Sequence, residues 1–363
     1  MKKSKTIYFT LTFLQFFILG GLLGYYLAIC ETEVESFCMM MVLGLGYLIT
    51  MFVSNALHEL GHLIGGLLSK YDFFMYSVGG FSIYKDDNNK FKLTRSNIAG
   101  AGGFVSMIPR IDSGYRVFLY GGITVNFIIS VLSVVLLLLT SNIYLNSFLT
   151  ITVLYNVSSF ILNFLPLQVA NVSTDGMKIK DLDNNVYKLE DYVRQSKFDK
   201  VLLLGYDYKD VDISEFNLPD KIETYYEKGD FSSYLCKLIR EDRFEDALKL
   251  LDDYNITINY KADDISDLEV TYEMIFLKLM LDKVENIDEL FTKENINFAR
   301  KHGMQLVFAA NRCLYIYYLL KSESKNAEKI IKLKNNLLKK TFKSQVPYEN
   351  HLYELIDKKY KNK

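Results

Sequence analysis

CMMMVLGLGYLITMFVSNALHELGHLIGGLLS, residues 38–69, is apolar enough to cross a bilayer, yet it carries His58, Glu59 and His62. From Phe37 to Leu57 nothing is ionisable except a cysteine and a tyrosine, and Leu63 to Ser69 is apolar again. Ionisable groups in hydrocarbon are costly unless paired, hydrated or bound. The stretch therefore reads as a membrane helix whose three polar residues have a task.

Outward from it, the 363-residue chain divides sharply. Residues 1–176 are dominated by long apolar runs, whereas 177–363 are rich in Lys, Asp, Glu, Asn and Tyr. The expected fold class is mainly α: a polytopic membrane helix bundle, then a cytoplasmic α-helical domain. With 42 Lys and Arg against 43 Asp and Glu, net −1, no broad basic surface for nucleic acid is implied. Four cysteines are too few for a disulfide framework; Cys30 and Cys38 flank the loop CETEVESFC and either pair there or stand as small apolar residues. The run Ile7 to Ile29 after MKKSK is too long for a secretory h-region and reads as a retained anchor helix.

Four segments, about 7–29, 39–69, 117–140 and 147–168, are long enough to span. Lys2, Lys3 and Lys5 precede the first, and the loop 30–38 has three glutamates and no Lys or Arg. The connector 70–116 carries Lys70, Lys85, Lys90, Lys92, Arg95, Arg110 and Arg116, and the last loop, SNIYLN, has none. Every loop agrees with both termini and the soluble part on the cytoplasmic side. The second span would be roughly 45 Å long, more than the ~30 Å hydrocarbon core. His62 then lies roughly 12 Å above the end marked by Lys70. The connector alternates aromatic or β-branched residues with polar ones around DDNN, which predicts a membrane-associated β-hairpin over about 73–95. Gly79, Gly80, Gly100, Gly102 and Gly103 permit close backbone approach there.

On a helix, His58 and His62 project from one face a turn apart, a spacing that lets two imidazoles bind one zinc ion. Glu59, one step round, can serve as general base toward water. A third ligand is needed. Position 68 is leucine, which excludes the extended motif ending in a third histidine, and no glutamate occurs between Glu59 and Glu190. The remaining carboxylates are Asp72, Asp86, Asp87, Asp112, Asp175, Asp181 and Asp183. Asp175 follows the fourth span on the correct side with Gly176 after it, and Asp112 is the fallback.

Three elements, HELGH at 58–62, GGITVN at 121–126 and NFLPLQVANVSTDG at 163–176, resemble the site-2 protease family of intramembrane zinc metalloproteases. The resemblance covers roughly residues 39–180. It implies one zinc per chain on His58, His62 and Asp175, with Glu59 as catalytic base. It also implies substrate contacts from Asn126, Asn163 and Pro166, with Asn126 toward substrate backbone or a developing oxyanion; the plainer reading of Asn126 is an interhelical hydrogen bond in the bundle. Ile123 stands where proline is common, the gap from Pro166 to Asp175 is longer than in compact versions, and no PDZ domain is recognisable. The implied activity is a zinc metalloendopeptidase cutting in or beside a transmembrane segment of a membrane protein or exported peptide precursor. The compact bacterial form places it in a bacterial cell membrane. A hairpin edge at 73–95 would pair with the unwound substrate.

Residues 177–218 read as a linker with VLLLGYDY as a strand, and 219–363 as helix pairs resembling degenerate tetratricopeptide units. Ala247 and Ala327 occupy close-packing positions 80 residues apart, not a multiple of the usual 34. LVFAANRCLYIYYLL, interrupted by Asn311 and Arg312, reads as a buried helix and not a fifth span. Such a domain offers a surface for a peptide or protein regulator, or packs as a cap; its lysine-rich 325–340 helix could touch anionic lipid. A different class of reading is a non-catalytic receptor or scaffold that binds a partner through this domain.

Overall fold

The computed structural model describes residues 2–86, 89–95, 103–110, 114–169, 172–186, 188–204, 208–222, 224–262, 265–304, 307–339, 341 and 345–361. The chain separates into two compact units, Met1–Ser196 and Lys197–Lys363, a boundary later than the expected end of the membrane part at 176.

The first unit holds four helices long and apolar enough to cross a membrane: α1 (Lys2–Ala28), α2 (Glu33–Leu68), α3 (Tyr115–Leu139) and α4 (Ile143–Phe164). Helix α2 starts at a capping box, in which Thr32 Oγ1 accepts from Glu35 N–H at 3.1 Å and Glu35 accepts from Thr32 N–H at 3.3 Å. It ends where Lys70 turns to φ 57° and Tyr71 N–H returns to Gly66 O at 2.8 Å. The buried residues of α2 are Met39, Leu43, Gly46, Thr50, Ser54, His58, Gly61, His62, Gly65 and Gly66, one stripe at helical spacing. Large apolar side chains such as Phe13, Phe17, Leu48, Leu138 and Leu139 face outward instead. Small and polar inside, apolar outside, is the pattern of helices that pack in lipid.

Glycine sets how close α2 and α3 come. A Cβ on Gly61 would lie 2.4 Å from Gly121 O, and one on Gly121 2.2 Å from Gly61 O. Only glycine on both helices permits that backbone contact. Helix α4 then lies against both, meeting α2 through Tyr155 Oη–H to Asn55 Oδ1 at 2.8 Å and the Thr50–Thr152 hydroxyl pair at 3.1 Å, and α3 through Asn126 and Asn156.

The connector forms an antiparallel sheet in the order β3 (Phe91–Arg95), β2 (Phe81–Lys85), β1 (Asp72–Val78), β4 (Gly103–Ile108). Gly79 and Gly80, at φ 59° and 82°, make the two-residue turn between β1 and β2. The strand expectation over 73–95 thus corresponds to three strands, and β4 is a fourth that lies beyond it. Gly100 and Gly102 lie outside the described residues.

After α4, the short strands β5 (Gln168–Val169) and β6 (Val172–Ser173) pair, and α5 (Asp175–Asp183) and α6 (Leu189–Leu204) follow. VLLLGYDY is therefore not a strand: Val201 to Leu204 finish α6, and Tyr208 begins a 3-10 turn. A short apolar run has no periodicity to separate the two states.

The second unit is helical: α7 (Tyr225–Arg240), α8 (Phe244–Asp253), α9 (Ile265–Met280), α10 (Ile287–Leu290), α11 (Lys293–Met304), α12 (Phe308–Leu320), α13 (Ser324–Leu338) and α14 (Gln345–Tyr360). Helices α7, α9, α12 and α14 end at 240, 280, 320 and 360, a recurrence of forty residues. Asp242, Asp282 and Ser322 take the same left-handed turn after the first three, at φ 57°, 55° and 56°. Ala247 and Ala327 are both buried, two such intervals apart. Helix α12 is buried along nearly its whole length, including Asn311 and Arg312.

Candidate metal centre

Helix α2 projects His58 and His62 toward the start of α5, whose first residue is Asp175. His58 Nε2 and His62 Nε2 are 3.1 Å apart, and they lie 3.4 and 3.1 Å from Asp175 Oδ2. All three side chains are buried. Among the described residues this is the cluster of His, Cys and acidic donors that meets within 4.8 Å and could hold a metal ion.

The far sides of the rings fix their protons. His58 Nδ1–H donates to Asn126 Oδ1 at 2.6 Å, and His62 Nδ1–H donates to Phe118 O at 2.8 Å. A neutral imidazole protonated at Nδ1 carries a lone pair at Nε2. Asp175 Oδ2 is itself buried and receives no hydrogen bond. Three lone-pair atoms thus face one another, an arrangement that could hold a metal ion. Tetrahedral zinc with bonds of about 2.0–2.1 Å places its ligands about 3.3 Å apart, whereas an octahedral facial set gives about 3.0 Å. The residues fit a divalent ion of this size.

Gly122 keeps the space open: a Cβ there would lie 2.5 Å from His62 Nε2 and 2.7 Å from His58 Nε2. Asp175 is brought in by the long segment after Pro166. Thr174 Oγ1–H donates to Leu165 O at 2.6 Å, and Leu167 N–H and Thr174 N–H close the base of the β5–β6 loop at 3.1 and 3.0 Å. The far end of α5 is tied by Asp183, which accepts from Tyr115 Oη–H and, at 2.9 Å, from Arg116 Nη2–H. Lys178 Nζ lies 3.7 Å from Asp175 Oδ1, the oxygen turned away from the rings.

Glu59 sits beside the cluster, against β4: a Cβ on Gly103 would come within 2.9 Å of Glu59 Cγ. The other expected site residues fall elsewhere. Asn126 lies behind His58 with its carbonyl on that ring, not toward a substrate position. Asn163 donates from Nδ2 to Ser159 O at 3.0 Å, and its backbone oxygen with that of Phe164 forms a shelf for Gly176. Pro166 is exposed just past the helix end. Asp112 lies outside the described residues. The sequence reading missed Phe118, Asn156, Thr174 and Lys178. Phe118 acts through its carbonyl, so no side-chain motif could have marked it.

No known family model matches the chain, and neither a curated protein nor a solved structure is significantly similar to it.

Proposed function

We propose that the chain is an intramembrane zinc metalloendopeptidase. What carries the reading is the convergence of three unprotonated donors from His58, His62 and Asp175, with Glu59 one residue on, in a helix otherwise fit for lipid. This agrees with the site-2 protease resemblance of the three sequence motifs.

Zinc held by these residues supplies Lewis acidity toward a carbonyl and lowers the pKa of water. Glu59 takes the proton of the attacking water and delivers it to the leaving amine. Helices α2 and α3 exclude bulk water from the inner face of the site, since Gly61 and Gly121 leave no gap between them. A helical substrate must unwind to present its carbonyl. The edge strand β4, paired on one side with β1 and running past Glu59, is better placed to pair with an extended segment than the 73–95 strands. The Lys and Arg distribution supports an orientation with both termini cytoplasmic, the resemblance implies a bacterial membrane, and the helical unit with its forty-residue recurrence is assigned to binding a peptide or protein regulator.

The test compares membrane and released peptides, by mass spectrometry, from cells with wild type or Glu59→Gln at matched expression. A membrane peptide that accumulates only in the mutant, with its cleaved product only in wild type, is the expected result. Identical peptide sets together with bound zinc would replace the protease with a non-catalytic receptor or scaffold.

A further inference from the structure

Behind the metal cluster runs a chain of hydrogen bonds that joins three helices and ends on a zinc ligand. Asn156, in α4, donates from Nδ2 to Ser54 Oγ of α2 and to Thr152 O, both at 2.9 Å. Its Oδ1 accepts from Asn126 Nδ2 of α3 at 3.4 Å, and Asn126 Oδ1 accepts from His58 Nδ1–H at 2.6 Å. Asn156, Asn126 and Ser54 are 0, 1 and 3 % exposed, so these groups must satisfy one another without bulk water.

The chain has a direction. A backbone carbonyl only accepts, so Thr152 O requires the NH₂ end of the Asn156 amide. That turns Asn156 Oδ1 toward Asn126, which must answer with its own NH₂ end. Asn126 Oδ1 then faces His58, and only an Nδ1–H can meet it. His58 Nε2 is left as a lone pair toward the cluster. Reversing either amide would set oxygen against oxygen or present N–H to Nδ1, and the imidazole would carry its proton at Nε2, where it cannot ligate.

We infer that Asn156, which lies outside every motif read from the sequence, is a positioning residue for the metal site, acting through Asn126 to hold His58 in the ligating tautomer. This rests on the metal-binding part of the proposed function and is independent of the substrate. Partners of ligating histidines typically change metal affinity by about 10–100-fold when removed. One step further out, Asn156→Ala is expected at the low end, about tenfold.

The same α2–α4 contact contains a control. The Thr50–Thr152 hydroxyl pair, at 3.1 Å, also bridges these helices, and it touches the run to His58 only through the Thr152 backbone oxygen, which Thr50→Val leaves in place. Zinc affinity of the purified full chain in detergent, measured by chelator competition for wild type, Asn156→Ala and Thr50→Val, separates the roles. The visible spectrum of each protein loaded with cobalt(II) reports coordination geometry. About tenfold weaker zinc binding and an altered cobalt spectrum in Asn156→Ala, with Thr50→Val matching wild type, is the expected result. Wild-type affinity in Asn156→Ala, or equal losses in both variants, would overturn the inference and leave Asn156 as interhelical packing. Wild type that binds no zinc would remove the metal site and this inference together, whereas zinc binding without proteolysis would leave the inference standing.

Discussion

Each unit buries a cluster of ionisable side chains, and the two clusters are resolved in opposite ways. In the membrane unit, His58, His62 and Asp175 turn three acceptor atoms toward one another, with their donors directed away. In the helical unit, Arg312 lies between Glu273 and Glu349, donating from Nη1 to Glu349 Oε1 at 3.0 Å and from Nη2 to Glu273 Oε1. Its guanidinium also stacks over Phe276, 4.7 Å from the ring centroid. That cluster brings its own cation. The other has none facing its three converging atoms; its nearest, Lys178, lies on the far oxygen of Asp175. Burial alone therefore does not mark function; what marks it is a buried set whose acceptor atoms converge with no cationic side chain between them.

The contrast is most sharply broken or sustained by paired deletions. Asp175→Ala removes one of three converging acceptors that no cationic side chain faces, so bound zinc and any proteolysis are expected to be lost while the helix content survives. Metal analysis and circular dichroism on the same sample check this. Arg312→Ala should do the reverse. It leaves two buried carboxylates uncompensated, a loss of about 3–5 kcal/mol by the usual behaviour of broken buried pairs, with zinc content unchanged. Denaturant unfolding of the full chain, followed in the helical unit, measures it. If Arg312→Ala instead emptied the metal site, the clusters would not be independent.

A smaller effect concerns protons. Burial, and then the neighbouring Glu273 carboxylate, push the Glu269 carboxyl up to about 8. A carboxyl raised on folding binds more protons in the native state, so its contribution weakens as pH rises from about 4.5 toward 8. Glu269→Gln should flatten that decline and stabilise the helical unit most above pH 8. A decline of unchanged slope in the variant would place the sensitive group elsewhere.

How much of this was legible in the sequence follows from which residues do the work. The four apolar helices were, because the signal is a long run and small boundary errors do not matter. His58 and His62 were, because a helix turns their spacing directly into a shared face. Asp175 was reached by eliminating other carboxylates and by motif, since the β5–β6 loop that delivers it has no strong pattern. Asn126 was singled out, but as either a substrate contact or an interhelical hydrogen bond, because the register between α2 and α3 decides what it faces. Asn156 carries no local signal at all. In the helical unit, what recurs every forty residues is a helix end and a left-handed turn, borne by Asp242, Asp282 and Ser322. Residue identity drifts between the copies, so two alanines 80 residues apart did not disclose the interval.

The central claim is that the three converging donors hold zinc. X-ray absorption at the zinc edge of the purified full chain, with metal stoichiometry from the same preparation, tests it most directly. The expected result is one zinc per chain with two imidazole nitrogens and carboxylate oxygen at about 2.0–2.2 Å in a four-coordinate shell. A six-coordinate iron site, or zinc bound with equal stoichiometry in Asp175→Ala, would contradict it.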